Sequence, residues 1–224
     1  MKKNFLITGA ISGVGRALAK HYIKTGHTVC VAGDQDPQLP AVTFHPFLGC
    51  ANPQAVDTVL DQIDPVHTVI HLASGVQDGP IDTLDDGTLE TAVHMNILVP
   101  MLLIQRLRRR SNWPLKTMLV TSGLRDTPNA QSAVQYATHC GLASLGASLV
   151  RDPALGKVLV AAIRQPQTKD TEDATWVSDQ IVALSGGAFK YKVAEVSTAP
   201  PYVDVIECLD ADMTPIAPSG GPVL

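Results

Sequence analysis

The chain has 224 residues, 45% hydrophobic and only 17% charged, with 17 glycines, 16 prolines and a net charge of −4. That balance excludes a disordered or collagen-like polymer, and the length suits one well-buried core, so a single domain over residues 1–224 is expected. The negative charge gives no electrostatic reason to expect nucleic acid or an anionic membrane as partner, and the one basic cluster, Arg106 with Arg108, Arg109 and Arg110, reads as a solvated helix end.

In chain order, the strand "FLIT" follows two lysines, and the run "NFLITGAISGVG" is too short and glycine-rich for a signal peptide or membrane span. A soluble, cytoplasmic protein is the expectation. A helix over 14–25 leads to the strand "TVCVAG", a helix over 53–63 to "HTVIHLAS", and a long helix over 84–109 to "LKTMLVTSG". A helix over 131–150 then precedes "KVLVAAIR". Nearly continuous apolar strands, each followed by a helix, predict an α/β fold: a doubly wound Rossmann-type parallel sheet with helices on both faces.

After Arg164 the pattern changes. The segment "QPQTKDTEDATW" is polar, "WVSDQIVALSGG" reads as a helix, and "FKYKVAEVS" and "YVDVIECLD" alternate as strands. "LDADMTPIAP" reads as a turn and an extended piece, and "APSGGPVL" as a loosely held end. The C-terminal part is therefore divergent and strand-rich, and no internal repeat is present. Cys30, Cys50, Cys140 and Cys208 have no zinc-ligand or disulfide spacing and read as reduced thiols.

The stretch "TGAISGVG", Thr8 to Gly15, joins a predicted strand to a predicted helix, the setting in which glycines form a dinucleotide cradle. Gly9 allows the tight turn, Gly13 lets backbone approach a pyrophosphate, and Gly15 lets the helix pack on the strand. The N–H groups at the helix start then face an anion.

The G-x-x-x-G-x-G spacing with its preceding threonine resembles the short-chain dehydrogenase/reductase family. "HLASG" (71–75) stands where that family has its N-x-A-G turn, Asn96 stands in the long fourth helix, "LVTSG" ends the next strand with Ser122, and Tyr136 follows. The likeness runs from Lys3 to about Pro166, leaving residues 167–224 as the divergent segment; "RQPQ" looks like a remnant of the family's Pro-Gly turn. The resemblance implies a nicotinamide cofactor held by Thr8, Gly9, Ser12, Gly13, Val14, Gly15, Asp34, Ala73, Ser74 and Gly75. Asp34 ends the second strand region, where a carboxylate accepts from ribose hydroxyls and repels a 2′-phosphate, so NAD is favoured over NADP. No acidic residue appears in "PFLGC", where the family tends to meet the adenine.

The resemblance further implies that Ser122 holds a substrate oxygen and Tyr136 is the acid/base, with Thr121 an alternative to Ser122 because the Ser–Tyr spacing is slightly long. Pro100 cannot donate to the carbonyl four residues back, which frees the Asn96 carbonyl. In the family that asparagine marks a helix break holding a relay water; a packed asparagine beside a proline kink is the plain alternative.

The family's lysine, four residues after the tyrosine, is replaced by Cys140. An ordinary tyrosine has about one molecule in a thousand ionised at pH 7, so a site lacking the lysine suits proton donation better than abstraction. Reduction of a small carbonyl substrate is thereby favoured over alcohol oxidation. His139, three residues after Tyr136, is the candidate substitute shuttle; Arg125 and Arg164 read as surface or structural.

Thr138, Leu142, Leu145 and Leu149 form a stripe at helical spacing, with Gly141 and Gly146 among them. Core packing explains it; in the family this helix is also an oligomer interface, so a homodimer or homotetramer is implied. Two further readings stay open: non-redox acid/base chemistry by Ser122, Tyr136 and His139, and a non-catalytic NAD(P)-responsive binding protein.

Overall fold

Along strand β1 (Asn4–Gly9), Phe5 and Ile7 enter one hydrophobic core and Leu6 enters another. The same alternation recurs in β2 (Thr28–Gly33), β4 (Thr68–Leu72), β5 (Leu115–Ser122), β6 (Leu155–Ile163) and β7 (Tyr191–Val196), so both sheet faces are covered. Burial on both sides is why these strands read as unbroken apolar runs. The computed structural model describes residues 1–9, 13–33, 35–46, 53–72, 79–122, 130–152, 155–163, 171–196 and 203–216.

With β3 (Val42–Pro46) and β8 (Val203–Leu209) these strands form one eight-stranded sheet in the order β3-β2-β1-β4-β5-β6-β7-β8. All neighbours are parallel except the β7–β8 pair. Helices α1 (Val14–Lys24) and α6 (Thr171–Leu184) cover one face; α2 (Pro53–Asp61), α4 (Val99–Arg110) and α5 (Ala133–Leu149) cover the other. The chain reverses direction across the sheet between β1 and β4, and in such folds the ligand crevice opens outside the strand carboxyl ends at that point.

The single long helix expected over 84–109 is divided. Helix α3 (Asp86–Val93) leads into a π-helical turn, His94–Leu98, and α4 resumes at Val99 with Pro100 as its second residue. By length and composition Asp86–Arg110 would suit a membrane span, but Val99, Leu103, Ile104 and Leu107 are buried in the core. Helix α6 begins at Thr171, inside the polar segment and five residues before the helix read from Trp176. The two C-terminal strands form as expected. After β8, Asp210 caps a turn by accepting from the Asp212 and Thr214 N–H groups, and Ile216 N–H donates to the Cys208 carbonyl, returning an extended piece along the sheet edge.

Candidate functional site

The carboxyl end of β1 is pressed against β4. Gly9 has φ 91°, and a Cβ there would lie 1.8 Å from the Leu72 carbonyl oxygen, so the position admits only glycine. Gly13, the N-cap of α1, has φ 47° and ψ −106°, and the nearest atom to an added Cβ is the Ala174 side chain at 3.8 Å. Among the described residues, nothing comes closer to this helix start. Gly15 and Val14 are buried at the start of α1, and the first turn holds no acidic residue. Helical N–H groups without acceptors at such an end attract an anion, so Gly9, Gly13 and the α1 start suit a pyrophosphate. Ser12, Asp34, Ala73, Ser74 and Gly75 lie outside the described residues. Arg16 Nε donates to the Pro37 carbonyl at 3.0 Å and ties α1 to the segment following β2.

Three further elements meet beside this turn. Thr8 stands opposite His71 in the β1–β4 register, and Thr8 Oγ1 lies 2.9 Å from His71 Nδ1. Both are buried, at 2% and 1% exposure, and His71 Nε2 has no partner at hydrogen-bond distance among the described residues. Burial pushes the His71 pKa down to about 4; the Met95 carbonyl acts in the opposite direction, and the neighbouring His139 adds to the lowering. His139, on α5, is also buried.

Asn96 is fully buried on the π-helical turn, and its Nδ2 donates to Thr138 Oγ1 at 3.2 Å. Thr138 in turn donates to the carbonyls of Val134 and Gln135, so the asparagine side chain is fastened to α5 two residues beyond Tyr136. The helix break expected at Asn96 is present, as a π-helical turn. Val99 N–H reaches back five residues to the His94 carbonyl, and in that register the missing donor of Pro100 would have served Met95.

Tyr136 is half-buried near the start of α5. Cys140, one turn on, is also half-buried, and α5 carries no lysine or arginine. Ser122 is the last residue of β5; its side chain lies outside the described part of the structure, as do Arg125 and Arg164. Thr121 is 3% exposed, its hydroxyl has no hydrogen-bond partner among the described residues, and strand alternation from Leu119 puts it on the α5 side of the sheet.

The stripe on α5 faces inward: Thr138 and Leu142 are buried, and Leu145 and Leu149 pack on the core. A Cβ on Gly141 would lie 2.7 Å from the Ile97 side chain, and one on Gly146 would lie 2.5 Å from Val160, so small residues let α5 approach both the π-helical turn and the sheet. Sequence reasoning missed His71 as a site residue in its own right; the available signal was an imidazole ending an otherwise apolar strand.

The sequence matches no protein-family model and no curated protein. Solved structures do match. They include a short-chain dehydrogenase/reductase from Vibrio parahaemolyticus, with TM-score 0.69, 19% identity and coverage of 87% of this chain and 100% of that one. A short-chain dehydrogenase from Bacillus anthracis gives TM-score 0.74 at 14% identity, covering 87% of this chain and 95% of that one. NADH-dependent reductase A1-R′ complexed with NAD gives TM-score 0.70 at 15% identity, covering 88% of this chain and 95% of its own. The chain thus has the fold of the short-chain dehydrogenases/reductases.

Proposed function

We propose that this chain is a divergent short-chain dehydrogenase/reductase: an oxidoreductase that binds NAD(H), or alternatively NADP(H), and reduces a small carbonyl compound. The observation that carries the reading is a juxtaposition at the carboxyl edge of one sheet. Gly9 of β1, fastened to β4, and Gly13 at the start of α1 lie there, and the buried His139 of α5, one turn from Tyr136, acts on β4 at His71. The NAD complex of a reductase with this fold lends support.

In this reading Gly9, Gly13 and the α1 N–H groups hold the pyrophosphate, and Asp34 selects NAD by accepting from the ribose. When bound, the nicotinamide supplies the hydride. Ser122 or Thr121 steadies the carbonyl oxygen by donating its hydroxyl proton in a hydrogen bond, and Tyr136 transfers its own proton to that oxygen as the carbon is reduced, giving the alcohol. With no cation on α5, the phenol is better suited to giving a proton than to taking one, which favours reduction.

Absence of that cation also favours a second reading, in which Tyr136 and His139 perform non-redox acid/base chemistry on the same scaffold. Incubation with NADH or NADPH and a carbonyl panel separates the two. Nicotinamide oxidation that Tyr136→Phe lowers at least tenfold supports the reductase. A product of unchanged oxidation state, formed without nicotinamide turnover, supports the second reading and sinks the first. Self-association follows from the same proposal: Val93 and Met101, 48% and 42% exposed, offer apolar side chains on α3 and α4, and light scattering should report a dimer or tetramer.

A further inference from the structure

We propose that His71 is the positioning residue of the dinucleotide turn, a neutral imidazole that accepts at Nδ1 from the Thr8 hydroxyl and keeps its proton on Nε2. This rests on the nucleotide-binding part of the function proposed above.

Thr8 is the last side chain before the Gly9 turn, and His71 is its direct neighbour in the parallel register. Elsewhere β4 is filled by apolar side chains and Thr68, all buried, so a histidine here is not what packing alone selects. Buried among them, the threonine and the imidazole satisfy one another at 2.9 Å. The next residue pair is Gly9 with Leu72, where the backbone contact leaves no room for a methyl group. A side-chain fastener and a backbone contact thus adjoin, and together they fix how β1 presents its turn to a pyrophosphate.

The tautomer follows from the other side of the ring. Met95 offers only a carbonyl, and in the π register the residue that would donate to it is Pro100, which has no N–H. An acceptor lacking its helical donor matches a ring nitrogen that bears hydrogen, and Nε2 is the nitrogen without a partner at bonding distance among the described residues. Nδ1 is left as the acceptor for Thr8. Around the ring, β1 contributes Thr8, β5 contributes Leu119, the π-helical turn contributes the Met95 carbonyl, and α5 contributes His139, the titratable neighbour among the described residues. A second proton on His71 would remove the acceptor that Thr8 needs.

The test has two arms. NADH is titrated calorimetrically into wild type, Thr8→Val, His71→Leu, the double variant and His71→Asn, each first checked for cooperative unfolding. Each single apolar substitution should weaken binding about tenfold, and the double variant should bind no more weakly than the singles, because both break one bond. His71→Asn should stay within about threefold of wild type, since its carboxamide oxygen can accept from Thr8. Wild-type affinity in His71→Leu, or losses that multiply in the double variant, would overturn the inference. A purely structural role would lower stability in every variant without this non-additivity or the rescue.

The second arm is ¹⁵N NMR of the His71 imidazole in wild-type protein, which depends neither on nucleotide binding nor on variant folding. An Nε2–H tautomer unchanged from pH 5.5 to 8 supports the assignment; an Nδ1–H tautomer, or titration within that range, overturns it. Should wild type fail to bind NADH, the proposed function falls, while the tautomer still decides whether His71 serves Thr8 as stated.

Discussion

Acidification should destabilise this protein through His71. His71 is neutral in the fold, with a pKa near 4, whereas an unfolded histidine titrates near 6.5. The unfolded chain therefore takes up a proton first as the pH falls, and the stability owed to the neutral ring is complete above about pH 6.5 and lost progressively down to about pH 4. With those two values the linkage relation gives about 2 kcal/mol of lost stability between pH 8 and pH 5, approaching about 3 kcal/mol below pH 4. Urea unfolding at pH 8, 6.5 and 5 on wild type and His71→Asn measures it. His27 also has a lowered pKa, mainly from partial desolvation, but it is common to both proteins and drops out of the comparison. Wild type should lose about 2 kcal/mol more than the variant on going from pH 8 to 5. Equal losses in the two proteins would refute the claim that His71 is held neutral.

Gly9→Ala should cost more than about 3 kcal/mol in urea unfolding, because a methyl group 1.8 Å from the Leu72 carbonyl adds a clash to a backbone angle closed to alanine. A loss under about 1 kcal/mol would mean that the β1–β4 contact yields easily. Asn96→Leu should cost about 1–3 kcal/mol by stripping Thr138 of a donor in a fully buried site, and a thermal melt within a degree of wild type would contradict that. Cys140→Lys should tighten NADH binding and speed carbonyl reduction, since it restores a cation one turn from Tyr136; unchanged kinetics would show that the scaffold makes no use of a charge there.

The doubly wound sheet was legible because its inner strands are apolar on both faces, and the glycine turn because its spacing falls between a strand and a helix. Strand β3 was harder to read from pattern: "VTFHP" lies at the sheet edge, half-exposed, without a run of buried residues. The start of α6 was hidden by polar residues that a periodicity test assigns to a loop. Pro100 marked the place where the fourth helix breaks, but hydrophobic spacing carries no information on hydrogen-bond register, so the π-helical turn and its effect on the Met95 carbonyl stayed hidden. His71 stayed concealed for a related reason. Its partner Thr8 is 63 residues away, brought alongside only by the pairing of β1 with β4, and a single polar residue in an apolar strand does not announce its neighbour.

The central claim is that the glycine turn grips a dinucleotide, and calorimetric titration of NADH into wild type and Gly13→Asp tests it most directly. The positive φ of Gly13 strains any side chain there, so the variant is first checked for a retained cooperative unfolding transition; its carboxylate would then repel a pyrophosphate. Wild type should bind one NADH per chain, and Gly13→Asp, with its unfolding transition retained, should bind none. No saturable binding to wild type, or equal binding to both proteins, would contradict the account.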